Sequence, residues 1–372
     1  MPASKLRNLP TYYSFGDLLI LPNSSDVEPN QANVASRISK GIPLSVPISS
    51  SPMDTVTGSR MALEMARLGC IGVIHRNMSI GQEVEDVKKV KSAEARGGTV
   101  DDAGRPRVAA AVGPFDVERA SALETAGADA VVIDTAHGHN ANVIKSAKAL
   151  RKQLSCDLIV GNIGTPEAAE DYLEAKPDAF RVGLGSGSAC VTRTATGVGV
   201  PQASAVHGVY EVARKRDIPV ISDGGVESGG DMVKALALGA ECVMVGKFLA
   251  GCDETPGELL DSPLPGLHGR YKLIRGMGAK SVIGRLDRYM ISPKGAPEGV
   301  EGLVPAAGPV ARVLERAVQQ LKQGMGYVGA RDIRDLQRRA KFIAITQSGV
   351  EEGKPRLPVT IDADTWSRLG GP

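Results

Sequence analysis

From about residue 44 onward, short runs of apolar residues alternate with longer stretches whose apolar positions recur at i, i+3 and i+4. The short runs read as strands at 44–48, 71–74, 108–112, 130–133, 158–160, 179–184, 219–222 and 242–245. The longer stretches read as amphipathic helices at 59–68, 80–90, 117–126, 141–153, 166–174, 203–216 and 229–238, with an eighth at 310–323. Several helices end at a glycine (Gly69, Gly127, Gly239), the residue a left-handed helix terminus prefers. Runs such as Val131-Val132-Ile133 are apolar at every position, as strands covered on both faces are. Eight strand–helix units in series predict a (β/α)8 TIM barrel with a long catalytic loop and a mobile flap. A doubly wound open sheet is the runner-up, and eight units without a topological break favour closure. The whole chain, 1–372, is expected to be one catalytic barrel domain.

Two intervals break the rhythm. Residues 92–106 are polar and glycine-rich, and read as a short linker between the second helix and the third strand. Residues 252–308 delay the last helix, are rich in Gly, Pro and charge, and read as a flap beside the barrel mouth. Composition narrows the classes further. A formal net charge of +2 argues against a broad nucleic-acid footprint, which needs clustered excess Lys and Arg. No apolar run reaches the ~18 residues that span a bilayer, and the first ten residues lack the order of a signal peptide. Five cysteines at 70, 156, 190, 242 and 252 form no C-x-x-C pair, which fits a reducing cytoplasm.

Chemistry gathers where strands end, the place barrel enzymes use. Ser51-Pro52-Met53-Asp54, Asp134-Thr135-Ala136-His137, Gly161-Asn162 and Asp223-Gly224-Gly225 all fall there. The richest segment follows the sixth strand: Gly183, Gly185 and Gly187, then a lone Cys190 and a hydroxyl at Thr192. Small residues let backbone N–H groups approach an anion, and a donor-rich loop can hold a thiol as the nucleophilic thiolate. Alone, such a loop also reads as a surface turn around an incidental buried thiol. Its company at the strand ends favours the catalytic reading.

These segments in order resemble the IMP dehydrogenase/GMP reductase family over roughly residues 10–355. Besides those above, the resemblance is carried by Ile74-His75-Arg76-Asn77-Met78, Gly185-Ser186-Gly187-Ser188-Ala189-Cys190, Gly197 to Gln202, Arg275-Gly276-Met277-Gly278 and Gly326-Tyr327-Val328-Gly329-Ala330. The resemblance implies oxidation of IMP at the purine C2: Cys190 attacks C2, hydride passes to NAD+, and the thioimidate is hydrolysed to XMP, a step of guanine nucleotide biosynthesis. By the same resemblance Ser188, Gly225 and Gly246 hold the phosphate and Asp223 the ribose, and Gly224 is a further substrate-binding residue. Ser51, Met53, Gly276, Met277, Gly278 and Glu298 surround the rest of the nucleotide. Asp134, Thr135, Ala136, Asn162 and Gly183 are assigned to NAD, and Asp134 also reads as a strand-end helix cap. A potassium site is implied at Gly185, Gly187 and Cys190, completed by Glu352, Gly353 and Lys354 of a neighbouring subunit, and homotetramers are typical of the family.

The alternative in the same family is GMP reductase, an NADPH-dependent reductive deamination that uses the same cysteine and threonine. An Arg-Tyr pair on the flap marks the dehydrogenases, and Arg288-Tyr289 stands at the matching place with Thr192 to orient the water. A silent nucleotide-binding paralogue and a flavin-dependent barrel are further readings, and the intact cysteine loop weighs against both. The chain also departs from the family pattern. Ile274 replaces a Tyr near the phosphate, Lys247 replaces a small hydroxyl residue, and residues 92–106 stand where a regulatory pair of CBS modules is usually inserted.

Overall fold

Eight parallel strands close on themselves in strict chain order. They are β1 (Ile48–Ser50), β2 (Ile71–Ile74), β3 (Ala109–Val112), β4 (Ala130–Ile133), β5 (Asp157–Ile163), β6 (Ala179–Val182), β7 (Val220–Asp223) and β8 (Cys242–Val245). Closure comes from β8 lying along β1, with Val243 opposite Ile48 and Val245 opposite Ser50. The helices between them are α1 (Ser59–Arg67), α2 (Ile80–Ser92), α3 (Val117–Thr125), α4 (Ala141–Arg151), α5 (Pro166–Tyr172), α6 (Gln202–Ala213), α7 (Gly229–Ala237) and α8 (Val310–Val328). The structure is a computed structural model that describes residues 8–95, 97–283, 296–357 and Trp366.

The expected barrel is present; its fifth strand, expected at 158–160, runs on to Ile163, and two other edges also moved. The first strand was expected at 44–48 and lies at Ile48–Ser50. Pro47 has no N–H to give a ladder, so pairing with the barrel starts after it. Leu44 belongs instead to an antiparallel hairpin, Ser36–Ser39 with Ile42–Leu44. The sixth strand stops at Val182, and Gly183 beyond it lies so close to β7 that a Cβ there would stand 2.0 Å from the carbonyl oxygen of Asp223. Helix ends follow the glycines as expected: Gly69, Gly127 and Gly239 all have positive φ.

The hairpin stoppers the N-terminal mouth of the barrel. Ile38, Ile42 and Leu44 cluster with Ile71, Ala109, Ala130, Ala179 and Cys242 near the starts of the strands. Its turn is tied down by Lys40 N–H to the Asp178 carbonyl at 3.1 Å and by Gly41 N–H to the Asp157 carboxylate at 2.8 Å. A second apolar layer fills the space between the strands and the helices.

The described residues of 252–308 hold more regular structure than the sequence suggested. They contain an antiparallel sheet of Leu260–Asp261, Arg270–Arg275 and Glu301–Pro305. In the central strand, Lys272 and Ile274 face inward and are buried. A lysine on the inward face hid the alternation from a hydropathy reading. Its ammonium is satisfied by the carbonyls of Cys252 at 3.0 Å and Thr255 at 2.8 Å and by the Thr255 hydroxyl at 2.9 Å. Within the 92–106 segment Val100 is bridged to Pro106 across a turn, and Lys91 joins Asp101 and Asp129 at 3.0 Å each. No CBS pair is inserted there. Near the C-terminus Phe342–Ala344 pairs antiparallel with Leu18–Ile20, a contact between distant segments that local patterning does not reveal.

Candidate functional site

One cavity opens at the C-terminal mouth, and its floor and walls come from loops after several different strands. The loop after β6 supplies the thiol. Arg193 closes its base by donating to the carbonyls of Leu184 and Val200, across a bridge between those two residues. A Cβ on Gly185 would lie 2.5 Å from Arg193 Cγ, so the loop needs glycine there. At the tip Cys190 N–H donates to the Gly187 carbonyl at 2.9 Å, and a short helix, Thr192–Thr196, follows.

The tip is laced to the backbone of residues 298–300. Val191 N–H donates to the Glu298 carbonyl at 2.9 Å, and Val300 N–H donates to the Ala189 carbonyl at 3.0 Å. A Cβ on Gly276 would sit 2.3 Å from the Ala189 oxygen, and one on Gly299 would sit 2.8 Å from the Ala279 nitrogen. The glycines at 276, 278 and 299 therefore allow three chain segments to touch at backbone distance. Arg275 anchors the middle one by donating to Asp54, whose carboxylate also accepts from Asn77 Nδ2 at 2.6 Å. Burial works against a charge on Asp54, but these hydrogen bonds outweigh it and hold its carboxyl below the ordinary range.

The geometry at the thiol is a line of three side chains. Cys190 Sγ lies 3.1 Å from Thr192 Oγ1, and that hydroxyl donates to Glu298 Oε2 at 2.9 Å. The other four cysteines have different surroundings. Burial pushes the thiols of Cys156, Cys242 and Cys252 up to about 12, and that of Cys70 well above its ordinary value. None of the four lines the cavity.

The opposite side of the cavity is organised by a buried guanidinium. Arg181 Nε donates to Asp223 Oδ2 at 2.8 Å, and its Nη1 donates to Asp134 Oδ1 at 2.8 Å. Asn162 Nδ2 donates to the same Asp223 oxygen at 2.7 Å and to the Gly183 carbonyl at 2.9 Å. Arg76 Nη2 reaches the Asp134 carbonyl at 3.1 Å, and its Nε lies 3.6 Å from the Asp134 carboxylate. Burial opposes the charge on Arg181, but the two carboxylates more than restore it, so the guanidinium is held more firmly protonated than usual.

Most of the residues singled out from the sequence meet here. Ser51 and Met53 after β1 line the cavity, as do Asp134, Thr135 and Ala136 after β4 and Asn162 on β5. So do Gly183, Gly185, Gly187, Ser188, Cys190 and Thr192 after β6, and Asp223, Gly224, Gly225 and Gly246 at the ends of β7 and β8. Gly276, Met277, Gly278 and Glu298 complete it. Arg288 and Tyr289 lie outside the described residues. Glu352 ends the short helix Gln347–Glu352, and neither it nor Gly353 nor Lys354 lines this cavity. Within one chain, then, the two halves of the implied potassium set are not brought together.

The sequence reading missed two features. Arg181 was passed over as part of a strand, although a charge inside Ala179-Phe180-Arg181-Val182 was a visible signal. Glu298 was assigned to the purine alone, and its bond to Thr192 joins residues 106 positions apart.

Comparisons with known proteins agree with this architecture. A family model described as IMP dehydrogenase / GMP reductase domain matches residues 12–356. An inosine-5'-monophosphate dehydrogenase of Thermoplasma acidophilum is 38% identical, covering 95% of this chain and 96% of that protein. That alignment spans 471 positions, more than the 372 residues here, whereas one with the Cryptosporidium parvum protein of the same name spans 386 at 38% identity, covering 93% of this chain and 95% of that protein. Among solved structures, a GMP reductase variant from Trypanosoma brucei, in complex with guanosine 5'-monophosphate, superposes with a TM-score of 0.88. It is 30% identical, covering 95% of this chain and 99% of that one.

Proposed function

The chain belongs to the IMP dehydrogenase/GMP reductase family, and we propose that it oxidises IMP to XMP through a covalent bond to Cys190. The observation that carries this reading is the line Cys190–Thr192–Glu298 inside the cavity. A thiolate adds to the electrophilic C2 of the hypoxanthine ring, which then gives up hydride and leaves a thioimidate. Thr192 holds the water that cleaves it in this proposal, supported by the hydrogen bond its hydroxyl donates to Glu298. Asp223, fixed by Arg181 and Asn162, presents its remaining lone pairs to the ribose hydroxyls. Holding the nucleotide at its sugar and phosphate positions C2 over the sulfur, so remote binding energy serves the reacting carbon.

NAD+ would rest against Thr135, Ala136, Asn162 and Gly183, where it supplies the hydride acceptor. Their fit is that of a polar wall beside the nucleophile. Asp134 contributes to that wall while already engaged by Arg181 and close to Arg76, so it can only share its carboxylate with a ribose. The potassium set fits only if a second chain brings Glu352, Gly353 and Lys354 to the cysteine loop, and no step is assigned to it. Arg288 and Tyr289 are the residues assigned to the hydrolytic half-reaction by family resemblance. A homotetrameric, cytoplasmic enzyme is part of the same proposal.

A second reading, NADPH-dependent reductive deamination of GMP to IMP, is favoured by the likeness to a solved GMP reductase at a TM-score of 0.88, and the bond from Thr192 to a carboxylate is compatible with passing a proton to a leaving amine. Absorbance at 340 nm separates the two. The purified protein with IMP, NAD+ and potassium is expected to generate NADH. Oxidation of NADPH with GMP, and silence with IMP, would overturn the dehydrogenase reading.

A further inference from the structure

We infer that Tyr172, with Asp171 beside it, positions the wall of the cavity on which the dinucleotide rests. This inference rests on the reading above that Thr135 and Ala136 face NAD+. Those two residues follow β4 and line the cavity. Their backbone is strung between two anchors. One is Asp134, whose carbonyl accepts from Arg76 at 3.1 Å and whose carboxylate accepts from Arg181 at 2.8 Å. The other is Gly138, and it is held from two sides.

On the barrel side, Gly138 N–H donates to the Asn162 carbonyl at 2.7 Å, and Asn162 N–H returns a bond to the Thr135 carbonyl at 3.1 Å. The approach is so close that a Cβ on Gly138 would stand 2.7 Å from the Asn162 oxygen. On the outer side, the Tyr172 hydroxyl donates to the Gly138 carbonyl at 2.7 Å. Tyr172 is fully buried at the end of α5, and burial pushes its phenol up, so it stays protonated and able to donate. The same carbonyl accepts from Asn140 N–H at 2.8 Å, but that bond lies within the loop and anchors it to nothing else. One residue further along, Asp171 Oδ2 and His139 Nε2 meet at 2.8 Å. Two successive residues of α5 thus clasp two successive residues of the loop, one pair buried and one exposed. Water competes for the exposed pair and weakens it, so Tyr172 carries most of the hold. Neither Tyr172 nor Asp171 lines the cavity, and their effect passes through the loop.

The test separates the loop from the helix that carries the clasp. Tyr172→Phe keeps the ring and removes the donor, and Asp171→Asn weakens the outer pair. Ala168→Gly loosens α5 one turn away and leaves both bonds in place. For the full chain and each variant, NADH formation is followed against NAD+ at saturating IMP, and IMP binding is measured by calorimetry. Tyr172→Phe should lower kcat/KM for NAD+ about five-fold, the scale of one hydrogen bond, with IMP affinity within about two-fold of the parent. Asp171→Asn should lower kcat/KM for NAD+ by less than about two-fold. Ala168→Gly should lower the melting temperature at least as much as Tyr172→Phe and leave kcat/KM for NAD+ unchanged. With no ligand present, hydrogen exchange at the amides of Gly138 and Asn140 should quicken in Tyr172→Phe and not in Ala168→Gly. If Tyr172→Phe leaves kcat/KM for NAD+ unchanged, weakens IMP equally, or is matched by Ala168→Gly, the inference is wrong. If the parent forms no NADH from IMP and NAD+, the underlying reading is wrong instead, and the exchange rates still decide whether Tyr172 holds the loop.

Discussion

The two mouths of the barrel are made from the same eight strands and have opposite chemistry. At the N-terminal end a hairpin seals the strands with the apolar side chains of Ile38, Ile42 and Leu44. At the C-terminal end glycines replace bulk, and charged or hydroxyl side chains converge on a cavity. The cysteines make the contrast plain. Cys242 begins β8 inside the apolar plug with its thiol pushed up to about 12 by burial, whereas Cys190 stands on a loop within reach of a hydroxyl. One end devotes its residues to packing, and the other leaves room for a ligand. Stability and reactivity are thus separated along the barrel axis, which lets the loops vary without unmaking the fold.

That separation can be broken experimentally. Cys190→Ala should have the largest effect, a fall in turnover of at least about 10³-fold, the scale seen when a covalent nucleophile is removed. Its unfolding free energy should shift by less than ~1 kcal/mol, since the thiol is not part of the packed core. A large loss of stability in denaturant titrations would show that the two ends are not independent. Leu44→Ala is the mirror experiment. Leu44 is 2% exposed within the plug, so the variant should lose about 3 kcal/mol of stability while the folded fraction keeps its kcat. A collapse of kcat in folded protein would tie the plug to the chemistry.

The smallest effect concerns acid. Asp54 is held below the ordinary carboxylate range, with burial opposing and the bonds from Arg275 and Asn77 prevailing. A depressed value means that the unfolded chain takes up a proton first as pH falls. The clamp between Asp54 and Arg275 therefore adds stability above about pH 4 and loses it below. Asp54→Asn should flatten that part of a melting-temperature profile. If the parent and the variant fall in parallel below that pH, the clamp does not contribute.

Why so much of the barrel was legible follows from its physics. Strands covered on both faces must be apolar throughout, so Ala130–Ile133 and Cys242–Val245 announce themselves as short runs. Helices betray themselves by periodicity and by terminal glycines. Where covalent or long-range constraints intervene, patterning fails. Pro47 cut the first strand short, and Lys272 disguised an inward-facing strand by satisfying its ammonium with carbonyls from a distant turn. The site divides in the same way. Glycines and the lone thiol are local signals, and they were read. The bonds from Arg181 to Asp134 and Asp223, and from Thr192 to Glu298, exist only once the chain has closed.

The turn between Val100 and Pro106 has a consequence for how such proteins grow. Because those residues pair across the loop, the chain leaves and re-enters the barrel at nearly one point. Sequence spliced between them would hang outside like a bag on a peg, pulling on neither neighbouring strand. The entropy of closing such a loop rises only with the logarithm of its length. A whole module could be gained or shed there while the catalytic mouth keeps its shape.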